Sequence, residues 1–213
     1  MSRPYVLINC AMSLDGKIAS QTGKQMKISG DEDLKRMYEL RNTSDAVLVG
    51  IGTVLSDDPK LTVKEKYVKN PKQPIRIVLD THCRTPENAE VVNDTSKTLI
   101  VVGSNSNKKF GKNVEIIKCK TTKKENLIDL KYLLDVLLKR GIKKLMVEGG
   151  STVISNFLKK GFVDDFYIYV GPMIIGGENT PGLVNKVSKN IKLKLVKKKN
   201  IGPGLLLHYR LIK

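Results

Sequence analysis

A short apolar run ends at a carboxylate, two glycines and two hydroxyls in Lys144-Leu145-Met146-Val147-Glu148-Gly149-Gly150-Ser151-Thr152-Val153. The run before the glycines is typical of a buried central strand, and the apolar spacing from Val153 to Leu158 is typical of a helix. Paired glycines let the backbone turn tightly, and the N–H groups that begin a helix attract anions. Taken alone, the pattern fits a plain turn as well as a phosphate site, with Ser151 or Thr152 capping the helix or contacting the anion.

The composition is that of an ordinary globular domain. The chain has 213 residues, 40% of them hydrophobic and 28% charged, and we predict a single domain over residues 1–213. No apolar run approaches the ~18 residues of a membrane span, and the N-terminus lacks the small-residue cleavage site of a secretory signal. We therefore expect a cytoplasmic protein with no membrane partner.

Cysteine and histidine give no sign of a metal site. Cys10, Cys83 and Cys119 share neither metal-ligand nor Cys-x-x-Cys spacing, and His82 and His208 are the only histidines. Two histidines are too few for a histidine-built metal centre. We predict no bound metal and no disulfide framework.

The formal net charge of +17 fits three kinds of anionic partner: nucleic acid, a membrane surface or an acidic small molecule. Proteins that recognise nucleic-acid bases favour arginine and stacked aromatic rings. In this chain lysines greatly outnumber arginines, tryptophan is absent and aromatic residues make up 5%. The charge therefore favours a phosphorylated cofactor and substrate over nucleic acid. Steeply salt-dependent binding to nucleic acid would be the signature of the rival class.

Apolar and β-branched runs predict strands over residues 5–12, 45–50, 74–81, 98–102, 114–117, 145–147 and 163–170. Helices are expected from a capping box at Ser29 and Glu32 to about Asn42, over residues 127–139 and over residues 151–160. Residues 51–54 interrupt the second strand and residues 57–64 form a loop. Alternation in residues 191–199 and 204–212 predicts an antiparallel hairpin. Polar loops after residues 81, 102 and 148 are expected to line one crevice at the carboxyl ends of the strands.

The residues that punctuate these elements form a recognisable set. They are Asn9-x-Ala11-x-Ser13-Leu14-Asp15-Gly16-Lys17, Arg41, Gly50-x-Gly52-Thr53-Val54-x-x-Asp57-Asp58-Pro59-x-Leu61-Thr62, Arg76-x-Val78-x-Asp80, Glu148-Gly149-Gly150, Pro172 and Gly176-Gly177. The set resembles the riboflavin-pathway reductases, relatives of dihydrofolate reductase, and most of all their stand-alone archaeal form. The match covers nearly the whole chain. The zinc deaminase domain of the bifunctional bacterial relatives is not expected, because its His-x-Glu and Pro-Cys-x-x-Cys motifs are missing from this sequence.

The resemblance implies an α/β fold of the dihydrofolate-reductase type: a mixed, mostly parallel central sheet flanked by helices, with a C-terminal antiparallel hairpin. It also implies a homodimer and NADPH as cofactor. The implied activity is reduction of the ribosyl side chain of 2,5-diamino-6-ribosylamino-4(3H)-pyrimidinone 5′-phosphate to the ribitylamino product. The alternatives are a reductase for the deaminated pyrimidine or for dihydrofolate, which share the fold and cofactor and which substrate competition separates.

The resemblance also implies roles for particular residues. By position, the family's cofactor contacts fall on Ala11, Thr53, Asp57, Leu79, Asp80, Thr81, His82, Gly150, Ser151, Thr152 and Val153, and its substrate contacts on Arg41, Leu61 and Glu148. Residues 149–152 would hold the pyrophosphate, Thr81 and His82 with nearby lysines the 2′-phosphate, and Ile128 would wall the adenine. Lys64 stands where the bacterial relatives have an arginine. It keeps the positive charge, but it lacks the guanidinium group that binds a phosphate through two hydrogen bonds at once.

We take Asp57 and Glu148 as the catalytic carboxylates, one positioning the pyrimidine or nicotinamide and the other orienting polar groups at C1′. Structural alternatives remain for several other predicted residues. Asp80 can cap a turn, Arg41 can complement a helix dipole, and Ser29 can cap a helix as well as contact substrate. Asn9 interrupts a core strand and either satisfies the backbone or contacts substrate.

Overall fold

The computed structural model describes residues 2–103, 106–123, 125–185, 187 and 189–212. Across these residues, strands join into one sheet of order β5-β4-β3-β2-β6-β1-β7-β9-β8, with β1 (Tyr5–Ser13), β2 (Ala46–Gly50), β3 (Ile75–Leu79), β4 (Thr98–Val102), β5 (Val114–Lys118), β6 (Lys144–Gly149), β7 (Asp165–Gly171), β8 (Leu193–Ile201) and β9 (Gly204–Leu211). Strands β1 to β7 pair in parallel, whereas β9 runs antiparallel to both β7 and β8. The predicted mostly parallel sheet with a C-terminal antiparallel hairpin is confirmed; its likeness to dihydrofolate reductase stays a prediction.

The helices are α1 (Asp31–Asn42), α2 (Ile51–Asp57), α3 (Leu130–Lys139) and α4 (Ser151–Lys159), with a 3₁₀ turn at Glu90–Val92. Helix α3 begins three residues later than predicted, because Ile128 pairs with Thr121 in an antiparallel bridge and Asp129 caps the helix by accepting from the N–H groups of Lys131 and Tyr132. None of the helices in the described part of the chain is both long and apolar enough to cross a membrane.

Two local predictions are wrong. Residues 51–57 form a short helix where an interruption and a loop were expected, because Ile51 and Val54, three residues apart, both bury their side chains in the core. The capping box is also absent: Gly30 is the N-cap of α1 and makes no side-chain bond. Ser29 donates instead to the Asp33 carboxylate, and Glu32 accepts from the N–H of Gly202.

Both faces of the sheet are buried, which is why its central strands are continuous apolar runs. In β1, Val6 and Ile8 face a core covered by α3 and α4, and Leu7 between them faces a second core lined by residues of α1 and α2. Strand β6 alternates in the same way. Because the central strands are parallel, the carboxyl ends of β1, β2, β3 and β6 meet at one edge of the sheet.

Candidate active site

A cavity of about 990 Å³ lies at this edge of the sheet. Its lining includes most of the residues that the sequence singled out, which come from separate parts of the chain: Ala11, Ser29, Arg41, Thr53, Asp57, Leu61, Leu79, Thr81, His82, Ile128, Glu148, Gly150, Ser151, Thr152 and Val153. The volume is in the range of small-molecule and cofactor sites. The structure therefore brings these residues to one place.

An ion pair between Arg41 and Glu148 lies in the wall of the cavity. Arg41 Nε and Nη2 donate to the two carboxylate oxygens of Glu148, each at 2.6 Å, and Arg41 Nη1 donates to the carbonyl of Thr62 at 2.7 Å. Both side chains are 11% exposed. The pair joins the last turn of α1, the carboxyl end of β6 and the loop after α2, so the three segments share one fixed geometry.

The ion pair also sets the charge on the cavity wall. Burial opposes the positive charge of Arg41, but the adjacent Glu148 carboxylate outweighs burial and raises the pKa of Arg41 above its usual value. Each carboxylate oxygen of Glu148 has a lone pair left after accepting from Arg41. Glu148 is thus an oriented hydrogen-bond acceptor for a donor group on a ligand.

The glycine turn after β6 brings the start of α4 to the cavity. Gly150 has φ +80°, which favours glycine, and a Cβ on Gly149 would lie 3.3 Å from Thr53 Oγ1. The prediction that Ser151 or Thr152 caps α4 is wrong: the N-cap is Gly150, without a side-chain bond. Both hydroxyls instead accept from the amide of Asn185, at 3.1 and 3.5 Å. The start of α4 therefore presents uncapped N–H groups at the cavity, where an anion is favoured.

Asp57 links helix α2 to the loop over residues 19–26, part of which lines the cavity. Its Oδ1 accepts from the N–H of Gln25 at 3.1 Å, and Ala19, Gly23, Gln25 and Met26 of this loop line the cavity. Asp57 thus lines the cavity and also restrains the loop that carries Gln25.

The segment after β3 contributes a positive charge to the cavity. Thr81, His82 and Arg84 follow β3 and line the cavity, and Leu127 and Ile128 are among its apolar lining residues. The sequence analysis missed Arg84 and looked to lysines instead. Its position close after the carboxyl end of a parallel strand was the signal that could have identified it.

Three of the predicted site residues do not line the cavity. Asn9 accepts from Arg36 Nη2 at 2.7 Å, and Lys64 lies with its ammonium 5.9 Å from the ring centroid of Tyr38. Asp80 is fully buried and accepts from the N–H and the hydroxyl of Thr85, both at 2.7 Å, so it shapes the loop after β3.

Two further predictions concern the loop after β4 and bound metal. Gly103 does not line the cavity, and Ser104 and Asn105 lie outside the described residues. Among the described residues, no group of three or more His, Cys, Asp or Glu side chains is placed to hold a metal ion.

A mostly parallel sheet, a helix N-terminus and cations at one cavity define an α/β domain suited to a phosphorylated small molecule. The family model described as the RibD C-terminal domain matches residues 4–207. This chain belongs to the RibD C-terminal domain family.

Relatives match over almost the full length of the chain. The 2,5-diamino-6-ribosylamino-4(3H)-pyrimidinone 5′-phosphate reductase of Archaeoglobus fulgidus is 42% identical over 209 residues, 95% of each chain. The protein of the same name from Methanothermobacter thermautotrophicus is 40% identical over 216 residues, 97% of this chain and 98% of the relative. Among solved structures, the Thermotoga maritima diaminohydroxyphosphoribosylaminopyrimidine deaminase/5-amino-6-(5-phosphoribosylamino)uracil reductase matches with a TM-score of 0.83 and 28% identity. That match covers 99% of this chain and 57% of the Thermotoga chain.

The ion pair yields a prediction about stability. Glu148→Gln leaves the buried Arg41 guanidinium without its counter-charge, and we expect the free energy of unfolding to fall by about 3–5 kcal/mol. Urea denaturation followed by circular dichroism measures it. Asp57→Asn is the matched control, because Asp57 also lines the cavity but is bonded only to an exposed N–H, and its loss should cost less than about 1 kcal/mol. Equal stability of Glu148→Gln and the wild type would contradict the role given to the pair.

Proposed function

We propose that this chain reduces the ribosyl side chain of 2,5-diamino-6-ribosylamino-4(3H)-pyrimidinone 5′-phosphate to the ribitylamino product, with NADPH as cofactor. The observation that carries the proposal is that one cavity is lined both by the oriented carboxylate of Glu148 and by two sources of positive charge, the start of α4 and Arg84. The archaeal relatives, named for this reductase, match along nearly their whole length.

The residues of the cavity fit a phosphorylated dinucleotide. A pyrophosphate matches the uncapped N–H groups at the start of α4, and a side chain at Gly149 would crowd Thr53, whose Oγ1 lies 3.3 Å from the position of a Cβ. Leu79, Ile128 and Leu127 offer an apolar wall for a purine ring. Arg84 and His82, which also line the cavity, would receive the 2′-phosphate.

When bound, NADPH supplies the hydride that reduces C1′ of the ring-opened ribosylamine. The chain itself orients the substrate and excludes water. Glu148, fixed by Arg41, accepts a hydrogen bond from a donor group of the pyrimidine, and Asp57 restrains the loop that carries Gln25. These contacts hold the reacting carbon in a fixed position. Such positioning is the main contribution of a protein to a reaction whose chemistry the cofactor supplies.

The names of the relatives favour the diamino substrate over its deaminated counterpart. The two archaeal relatives are named for the diamino compound, whereas the Thermotoga protein is named for the uracil derivative. We therefore propose that reduction by this chain precedes deamination.

The direct test is the loss of NADPH absorbance with three candidate substrates. We expect turnover with the diaminopyrimidinone phosphate, and values of kcat/KM at least about tenfold lower with the deaminated compound and with dihydrofolate. Turnover with dihydrofolate alone would contradict the assignment. So would salt-sensitive binding to nucleic acid by a protein without affinity for NADPH.

Arg84 provides a test of the choice between NADPH and NADH. Arg84→Ala should raise KM for NADPH by about tenfold and leave KM for NADH unchanged, because only NADPH carries the 2′-phosphate. Arg140→Ala is the matched control, since Arg140 pairs with Glu115 outside the cavity. An equal effect of Arg84→Ala on both cofactors would contradict the proposal.

We also propose that residues 1–213 act as one cytoplasmic reductase domain that forms a homodimer. The continuous sheet supports a single domain. The edge strand β8 supports self-association, because it carries Leu195 and Val196, each 45% exposed. Light scattering should give twice the chain mass for the wild type. The double variant Leu195→Lys/Val196→Lys should give the mass of one chain. Ile174→Lys, at a residue that is 74% exposed and lies in the segment after β7, should leave the dimer mass unchanged. A monomeric wild type would contradict the homodimer.

A further inference from the structure

A hydrogen-bonded network connects strand β1 to the cavity wall through helix α1. Ser29, which lines the cavity, donates to Asp33 Oδ2 at 2.5 Å. Arg36 Nε and Nη2 contact the other oxygen, Asp33 Oδ1, at 2.8 and 2.7 Å. Arg36 Nη2 also donates to Asn9 Oδ1 at 2.7 Å. None of the roles derived for the cavity uses Asp33, Arg36 or Asn9.

The network is buried and fixes the direction of each bond. The side chains of Asp33 and Arg36 are 4% and 15% exposed. A carboxylate accepts only, so the hydroxyl proton of Ser29 is committed to Asp33. What Ser29 offers to the cavity is therefore a lone pair: it can accept from a ligand but has no proton left to donate.

Arg36 and Asn9 keep this arrangement in place. Arg36 binds Asp33 Oδ1 alone and leaves Oδ2 to Ser29. The amide oxygen of Asn9, on a central strand, anchors the guanidinium. Removing one member of the network would leave the partner of that residue without a hydrogen bond away from water, which is costly.

We propose that Asp33 is a positioning residue that fixes Ser29 as a hydrogen-bond acceptor for a hydroxyl or amino group of the substrate. The inference rests on the proposed function, whose substrate carries ribose hydroxyls and amino groups as donors. Together with Glu148, Ser29 gives the cavity two oriented acceptors contributed by different segments. In a substrate analogue with a carbonyl in place of that donor group, the carbonyl oxygen would face the lone pair of Ser29. Two acceptors cannot form a hydrogen bond, so the analogue would bind less tightly.

Replacing Asp33 by asparagine reverses the polarity of Ser29. Because Arg36 donates to the Oδ1 position, the amide oxygen of the new side chain must face Arg36, and its NH₂ group must face Ser29. Ser29 then accepts from the amide and turns its own proton toward the cavity. In the Asp33→Asn variant we expect KM for the pyrimidine phosphate to rise about tenfold, with kcat and KM for NADPH little changed.

The experiment is a double-mutant cycle with Ser29→Ala, with each KM measured on the intact chain. Ser29→Ala should raise KM by a similar factor, and Asp33→Asn should have no further effect in the Ser29→Ala background. Asp31→Asn is the matched control: Asp31 is an exposed acid in the same first turn of α1, so its loss removes the same helix-dipole interaction. Its KM should equal that of the wild type.

Two outcomes overturn the inference. If Asp33→Asn raises KM by the same factor with and without Ser29, Asp33 acts through the fold and not through Ser29. If Ser29→Ala leaves KM unchanged, Ser29 makes no substrate contact, and this variant decides the matter even if Asp33→Asn fails to fold. Failure of the proposed function is distinguishable, because the wild type would then show no turnover of the pyrimidine phosphate.

Discussion

The ion pair between Arg41 and Glu148 is the interaction on which the arrangement of the cavity depends. It joins three segments that are far apart in sequence: the end of α1, the end of β6 and the loop that carries Thr62. A buried ion pair adds little net stability relative to well-packed apolar residues, because desolvation offsets the attraction. Its value here is geometric. It gives the cavity a carboxylate in one orientation, at a site where an unpaired charge would be costly.

The parallel sheet brings the remaining functional groups to the same edge. Each crossover from one parallel strand to the next returns to the same carboxyl end, so Ala11, Gly50, Leu79 and Gly149 meet although the sequence separates them widely. The end of β2 approaches the first turn of α4 closely, since a Cβ on Gly50 would lie 2.8 Å from the side chain of Val153. Small residues at these turns are therefore a steric requirement of the cavity.

Much of the fold could be predicted from the sequence, because buried parallel strands are continuous apolar runs and the hairpin alternates. Competition between neighbouring groups for the same hydrogen bond could not be predicted. Ser29 and Glu32 match a capping box, yet Asp33 four residues after Ser29 outcompetes the helix N–H groups for the hydroxyl. The seven-residue helix α2 is too short to show a periodic pattern. Most site residues could be predicted from the family motifs. Arg84 and the hydrogen-bonded network that contains Ser29 could not, because they depend on where the fold places the side chains and not on spacing in the sequence.

A crystal structure of the protein with NADP⁺ and the ribitylamino product would test the central claim most directly, namely that one cavity holds both cofactor and substrate. We predict the pyrophosphate on the N–H groups that begin α4, the 2′-phosphate at Arg84 and a donor group of the pyrimidine on Glu148. A pyrimidine bound away from Glu148, or a cofactor whose phosphates avoid residues 150–152, would contradict the account.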